Sequence, residues 1–294
     1  MEAGYILSQA VNALFYSSIL FLIASGLNLI FGVMRVLNLA HGAFYMIGAY
    51  IMYTVMSAGV AGAGPAAILG IIAAGLAVAA VGLAVERLLS RVYDKPEEVQ
   101  LLLTFALILV LDDLVKMVWG TEYKTLKTVP WGSLEVDGYV IPIYYIITVA
   151  VSLGIAGLLW YILSRTTIGK MIRATASYPE VASALGVNTR RIYMLTFILG
   201  SAMAGIAGAM AAPVVSASPG MGTEAIVLSF AIIVIGGMGS IVGSLVGSLI
   251  VGASRTVMAI VFPILEVALI YIIMAIVLLV KPTGLFGTAE VERR

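Results

Sequence analysis

The 294-residue chain is 62% hydrophobic and 11% charged, with a mean hydropathy of +1.13, which excludes a soluble globular domain, where about half apolar and a quarter charged is usual. Sixteen basic and fifteen acidic residues leave a net charge of +1 and no basic tail, so nothing points to nucleic acid as a partner. The lack of cysteine excludes a disulfide framework and thiolate metal sites, and a single histidine, His41, excludes most His-based metal and triad arrangements.

Lys, Arg, Asp and Glu are missing from residues 3–34, 36–85, 138–164, 192–223 and 225–254. Each run exceeds the ~20 residues that cross ~30 Å of hydrocarbon. Strict alternation is absent and Gly, Ala, Ile, Leu and Val dominate, so helices rather than barrel strands are expected. In chain order, Tyr5–Val33 reads as a first span; no basic n-region precedes it, so it is expected to stay in the mature protein. Arg35 and the run Asn38-Leu39-Ala40-His41-Gly42 interrupt the pattern before a second span, Phe44–Met56. Ala66–Val85 is a third, closed by the charged loop Glu86–Glu98, and Val99–Trp119 a fourth. The polar stretch Gly120–Gly138, with Tyr123, Trp131 and Tyr139, suits a membrane surface. Tyr139–Leu163, Ile192–Ala212, a short Glu224–Met238, Ile241–Val261 and Ile264–Val280 complete the pattern. The expected architecture is a single transmembrane domain over 1–294. It is an all-α polytopic membrane protein with about eight transmembrane helices (roughly seven to nine), some broken or re-entrant around 36–64 and 223–262.

The stretch Ser164–Arg191 stands out as a basic loop between two spans, with Arg165, Lys170, Arg173, Arg190 and Arg191 against one acid, Glu180. Ser177 and Glu180 are spaced as a capping box, Pro179 suits a first turn and Gly186 can end a helix in the left-handed conformation. Val181, Ala184 and Leu185 fall on one apolar face, with Ala182 inside the same segment. A helix of about two turns, roughly 12 Å long, is predicted. It reads as a docking knob. Basic residues in this loop, in Glu86–Glu98 and in Lys281 with Arg293-Arg294 place all three in the cytoplasm, leaving the N-terminus outside.

No phosphate loop exists: Gly169-Lys170 has Ser164 where the pattern requires glycine and Met171 where it requires Ser or Thr. No nucleophile elbow is found, and an enzyme in its own right is not expected. Asn38 and His41 are three apart, on one face if that segment is helical, and Asn28 is a further amide in an apolar setting. Two readings are open for them: a polar path for solute, or hydrogen bonds that hold a kinked helix. Asp112 and Asp113 fit a proton- or sodium-coupled secondary transporter or, the favoured reading, the outer interface with Lys116 as partner. Glu224 reads as an acid at a helix start, and Arg255 and Glu266, eleven apart around Pro263, either as a pair across a turn or as charges at the ends of two helices. The stripes Gly200/Ala204/Gly208 and Gly239/Gly243/Gly247, beside Ser240/Ser244/Ser248, read as close helix packing, with a channel or dimer face as the alternative.

These pieces together resemble the permease subunits of ABC importers for branched-chain amino acids. The matching stretches are Gly26-Leu27-Asn28 through Phe31-Gly32, Asn38–Gly42, Tyr45–Gly48, Glu86-Arg87, Gly169–Arg173, Gly186–Arg191, Gly236–Ser240 and Pro282–Gly284, which cover the chain in order. The resemblance implies a dimeric pore in a prokaryotic inner membrane, with a second permease subunit, identical or homologous. Two cytoplasmic ATP-binding subunits, holding the ATP and Mg that this chain does not bind, would drive it, and an external solute-binding protein would supply it. It further implies that Ala182–Gly186 is the helix coupling to the ATPase, and it raises Asn28, Asn38, His41 and Gly42 as path candidates. The sequence departs from the family at Ser177-Tyr178-Pro179-Glu180, where an acidic-and-Asn run is more usual. Urea, short amides and aromatic carboxylates remain alternative cargoes for the same architecture.

Overall fold

The computed structural model describes residues 2–59, 62–126 and 130–287. Eleven α-helices fill most of this length: α1 Glu2–Met34, α2 His41–Ser57, α3 Ala63–Leu89, α4 Glu97–Trp119, α5 Ile143–Arg165, α6 Thr167–Ser177, α7 Pro179–Ala184, α8 Thr189–Ala211, α9 Met221–Gly236, α10 Ile241–Val261 and α11 Glu266–Val280. Among the described residues, six helical segments are long and apolar enough to cross a membrane: α1, α3, α5, α8, α10 and α11 with the 3₁₀ turn that precedes it. The chain is thus a polytopic helical membrane protein, as the uncharged runs require. α4 has spanning length at 23 residues but carries Asp112, Asp113 and Lys116 in its second half. α2 lies beside α4 along its length, because Thr104 donates to the Leu37 carbonyl at one end and Trp119 donates to Thr54 at the other.

The core is built on α1 and α8. α1, at 33 residues about 50 Å long, is buried through Ile19–Ile30 and packs on α5, α8, α9 and α10, while α8 packs on α1, α2 and α3. Small residues let these backbones touch. A Cβ on Gly208 would overlap the Tyr45 carbonyl, and one on Gly200 would meet the carbonyl of Gly26. The Gly200/Ala204/Gly208 stripe is therefore bundle packing. The second stripe needs correction at its start: Gly239 sits in the α9–α10 turn at φ +82°, and the helix begins after Ser240, whose hydroxyl accepts the Gly243 N–H.

The loops gather at two ends. One end collects Gly4 against Asp137, Gly64 against Trp131, the bridge between Lys124 and Ala217, and Asp112 accepting the Gly220 N–H at 2.6 Å. The other collects residues 35–40, the α3–α4 loop, α6 and α7, the α9–α10 turn and Leu285–Phe286, whose N–H groups bond Ile235 and Gly236. Basic residues follow this division. Arg35, Arg87, Arg91, Lys95, Arg165, Lys170, Arg173, Arg190, Arg191 and Lys281 lie at the second end, and only Lys116, Lys124 and Arg255 at the first, among the described residues. Arg293 and Arg294, which entered the charge argument above, lie outside the described residues.

A hairpin was not anticipated. Residues 139–142 form a strand, β2 Tyr139–Pro142, paired antiparallel with β1 Ser133–Val136, so α5 starts only at Ile143. Asp137 and Gly138 both have positive φ, 53° and 82°, the geometry of a two-residue hairpin turn.

Candidate functional site: the basic end and the buried amides

The knob forms, but not with the predicted cap. Thr166 starts α6 by accepting the Gly169 N–H at 3.1 Å, and that helix runs on to Ser177. Ser177 is therefore the last residue of one helix and does not cap the next. The capping box with Glu180 is not made: Tyr178, extended at φ −144°, is the break, and no side chain caps α7. Glu180 instead sits in the first turn, where a negative charge suits the helix dipole. Pro179 takes the first helical position as expected. α7 has six residues, about 9 Å, shorter than predicted. Gly186 at φ +88° closes it, with Val187 N–H bonded back to the Ala182 carbonyl.

Exposure separates the faces of α7. Ala182 is 3% exposed and seats the helix on the bundle, while Val181 and Leu185 are 55% and 80% exposed. Ala184 is exposed beside them. Val181 and Leu185 thus form an apolar face turned away from the rest of this chain. The amphipathic α6 supports it from the other side, burying Gly169, Ile172 and Thr175 and exposing Lys170 and Arg173.

Beneath this end lie the polar residues of the 28–42 stretch, and each plays a different part. Asn28 is a joint between α1 and the α9–α10 turn. Its amide donates to the Ser240 carbonyl at 2.8 Å and to Ser244 Oγ at 2.7 Å, and its Oδ1 accepts the Gly239 N–H at 2.5 Å. Asn38 and His41 do not share a helical face, because residues 35–38 are non-helical and α2 begins at His41. Arg35, at φ +55°, turns the chain out of α1. His41, fully buried, bonds the Ile23 carbonyl through Nε2 at 3.0 Å and so ties α2 to α1. Gly42 packs on Gly222, leaving no room for a Cβ between α2 and α9. Asn38 differs from all three: it is 1% exposed, and neither its amide nitrogen nor its oxygen has a partner among the described residues.

Two contacts at these ends escaped the sequence reading, Tyr93 with Glu86 and Arg255 with Glu224. Glu86, placed there in a charged loop, is 3% exposed at the end of α3, where the Tyr93 hydroxyl donates to it at 3.1 Å. Burial first, and then the Glu86 carboxylate, hold the Tyr93 phenol far above its ordinary range, so Tyr93 remains a donor. At the opposite end Arg255 pairs with Glu266 at 2.5 Å, the first of the two readings around Pro263, and also faces Glu224 in the first turn of α9. Asp112 and Asp113 both hold Lys116, at 2.7 and 3.0 Å, as the interfacial reading expects.

A bundle of membrane-crossing helices with a short, exposed amphipathic segment between two spans is the architecture of a polytopic membrane protein, and the comparisons give its class, a transport permease component. The chain belongs to the family described as branched-chain amino acid transport system, permease component, whose model matches residues 9–279. It is 30% identical over 304 residues to the high-affinity branched-chain amino acid transport system permease protein BraD of Pseudomonas aeruginosa, with 99% of each chain covered. It is 30% identical to LivH of Salmonella typhimurium, with 98% of each covered. To the probable LivH of Methanocaldococcus jannaschii it is 27% identical, over 94% of this chain and 91% of the relative. No solved structure matches the chain.

Proposed function

We propose that this chain is the transmembrane permease subunit of an ATP-binding-cassette importer that moves branched-chain amino acids across the cytoplasmic membrane of a prokaryote. The observation that carries the mechanism is the outward apolar face of α7, Val181 and Leu185, on a chain without a phosphate loop of its own. Two cytoplasmic ATP-binding subunits, with ATP and Mg, dock there; a second permease subunit completes the pore; an external solute-binding protein delivers cargo. The whole chain acts as one domain, with residues 164–191 as its coupling loop. The cargo reading is supported by the near full-length likeness to BraD and LivH.

The basic end faces the cytoplasm, with the N-terminus and the hairpin outside, in keeping with the preference of Lys and Arg for cytoplasmic loops. Closure of the ATPases upon ATP moves α6 and α7, and the helices joined to them change the side on which the path is open. On that path Asn38 is the group that meets water or solute, since its amide is otherwise unfilled; Asn28, His41 and Gly42 hold the helices that flank it. Titration of the partner solute-binding protein tests the cargo. Tight binding of leucine, isoleucine or valine is expected; selective binding of urea, short amides or aromatic acids would replace the amino acid with that class.

A further inference from the structure

Four helices bring side chains to one ionic cluster at the end of the bundle that carries the hairpin. Glu224 stands in the first turn of α9, Arg255 in the last two turns of α10 and Glu266 at the start of α11. Arg255 Nε donates to the Glu266 carboxylate at 2.5 Å, and its Nη2 is 3.7 Å from Glu224 Oε1. The guanidinium carbon lies 5.3 Å from the centroid of the Tyr16 ring on α1, within the range where a ring face attracts a cation and fixes its plane. Close backbone contacts place these groups: Gly252 of α10 packs on Ser17 of α1, and Gly222 of α9 packs on Gly42 of α2.

The two carboxylates are not equivalent. Arg255 and Glu266 are 30% and 24% exposed and hydrogen-bonded, whereas Glu224 is 68% exposed and beyond hydrogen-bond range. Glu266 occupies the Nε side of the guanidinium, which leaves terminal N–H groups for another carboxylate. Two acids against one base also leave a surplus negative charge, and neither glutamate pairs with any other cation among the described residues.

We propose that Glu224 and Arg255 form a recognition site for the zwitterionic head of an amino acid, its ammonium on Glu224 and its carboxylate on the free edge of Arg255. This rests on the amino-acid cargo of the proposed function. A zwitterion is the solute that can open the loose Glu224–Arg255 contact without leaving a charge unpaired, because it brings one charge of each sign. A neutral amide satisfies neither partner, and a 2-oxo acid satisfies Arg255 alone.

The test is equilibrium binding of tritiated leucine to the purified permease–ATPase complex in nanodiscs, without the solute-binding protein. Saturable binding is expected, displaced by leucine but not by 4-methyl-2-oxopentanoate, which lacks the ammonium, nor by isopentylamine, which lacks the carboxylate. Glu224→Gln is expected to weaken binding by about tenfold to a hundredfold, the loss of one charged hydrogen bond. Glu224→Asp, which keeps the charge, should recover most of it. Absence of saturable binding in the wild type, equal displacement by the oxo acid, or a Glu224→Gln complex that binds as the wild type overturns the proposal. The cargo reading fails separately, in the titration of the solute-binding protein: if that protein takes leucine while Glu224 proves indifferent, only this site falls.

Discussion

Two asparagines ten positions apart show how little residue type alone decides. Asn28 fills both ends of its amide with partners on the α9–α10 turn, whereas Asn38, equally buried, fills neither. Substituting them should therefore have opposite effects on stability. Asn28→Ala strips the partners from the Gly239 N–H and two acceptors and is expected to cost about 2–4 kcal/mol, read as a lower thermal midpoint and yield in detergent. Asn38→Leu removes an unsatisfied buried amide at similar volume and is expected to leave the thermal midpoint unchanged or raised. It should nonetheless lower transport if, as proposed, Asn38 is the polar group of the path. A destabilised Asn38→Leu protein would mean that the amide has a partner in the working assembly, and full transport would remove it from the path.

At the scale of elements, α7 carries the account of coupling. Its six residues cannot be stable alone, since helices so short do not recover their nucleation cost. Three things hold it: Pro179 at the start, Ala182 against the bundle and Gly186 at the end. Leu185→Asp touches none of these, because Leu185 projects into solvent. The isolated subunit should keep its wild-type yield while co-purification of the ATPase falls by about tenfold or more, the scale of a hot-spot residue placed at an interface centre. Wild-type recovery of the ATPase would remove α7 from the interface.

The proline, the glycine and the apolar spacing of this element were all legible in the sequence. The cap was not, because Ser177-x-x-Glu180 is a local pattern, and the preceding α6, started from Thr166, takes Ser177 into its own last turn. The hairpin was legible but overlooked: Asp137-Gly138 between short apolar strands is a strong turn signal that the hydrophobic run from Tyr139 masks. The break at Arg35–Ala40 was legible from its polar residues, Arg35 and Asn38, although no glycine or proline lies within it and a non-glycine residue takes the positive φ.

At the scale of the whole molecule, long uncharged runs were enough for the architecture, since a bilayer imposes length on every span. They do not reveal which polar residues meet, because Asn28 with Ser240 and Arg255 with Tyr16 depend on contacts more than two hundred positions apart in sequence. The segregation of basic residues to one end predicts a single orientation, and the cysteine-free sequence makes this simple to check. A lone cysteine at Ser177 should react with a membrane-impermeant thiol reagent only after the cytoplasmic face is opened. One at Ser133 in the hairpin should react on intact cells. Reversed labelling would invert the topology and move α7 away from any cytoplasmic motor.

The most direct test of the account is uptake of labelled leucine into proteoliposomes that hold this chain with its second permease and ATPase subunits, supplied with loaded solute-binding protein. Uptake is expected only when ATP is hydrolysed on the α7 side, to stop when the ATPase active site is inactivated, and to persist when proton and sodium gradients are collapsed. Uptake driven by an ion gradient with the ATPase inactive would contradict the account and transfer the energy coupling to residues such as Asp112 and Asp113.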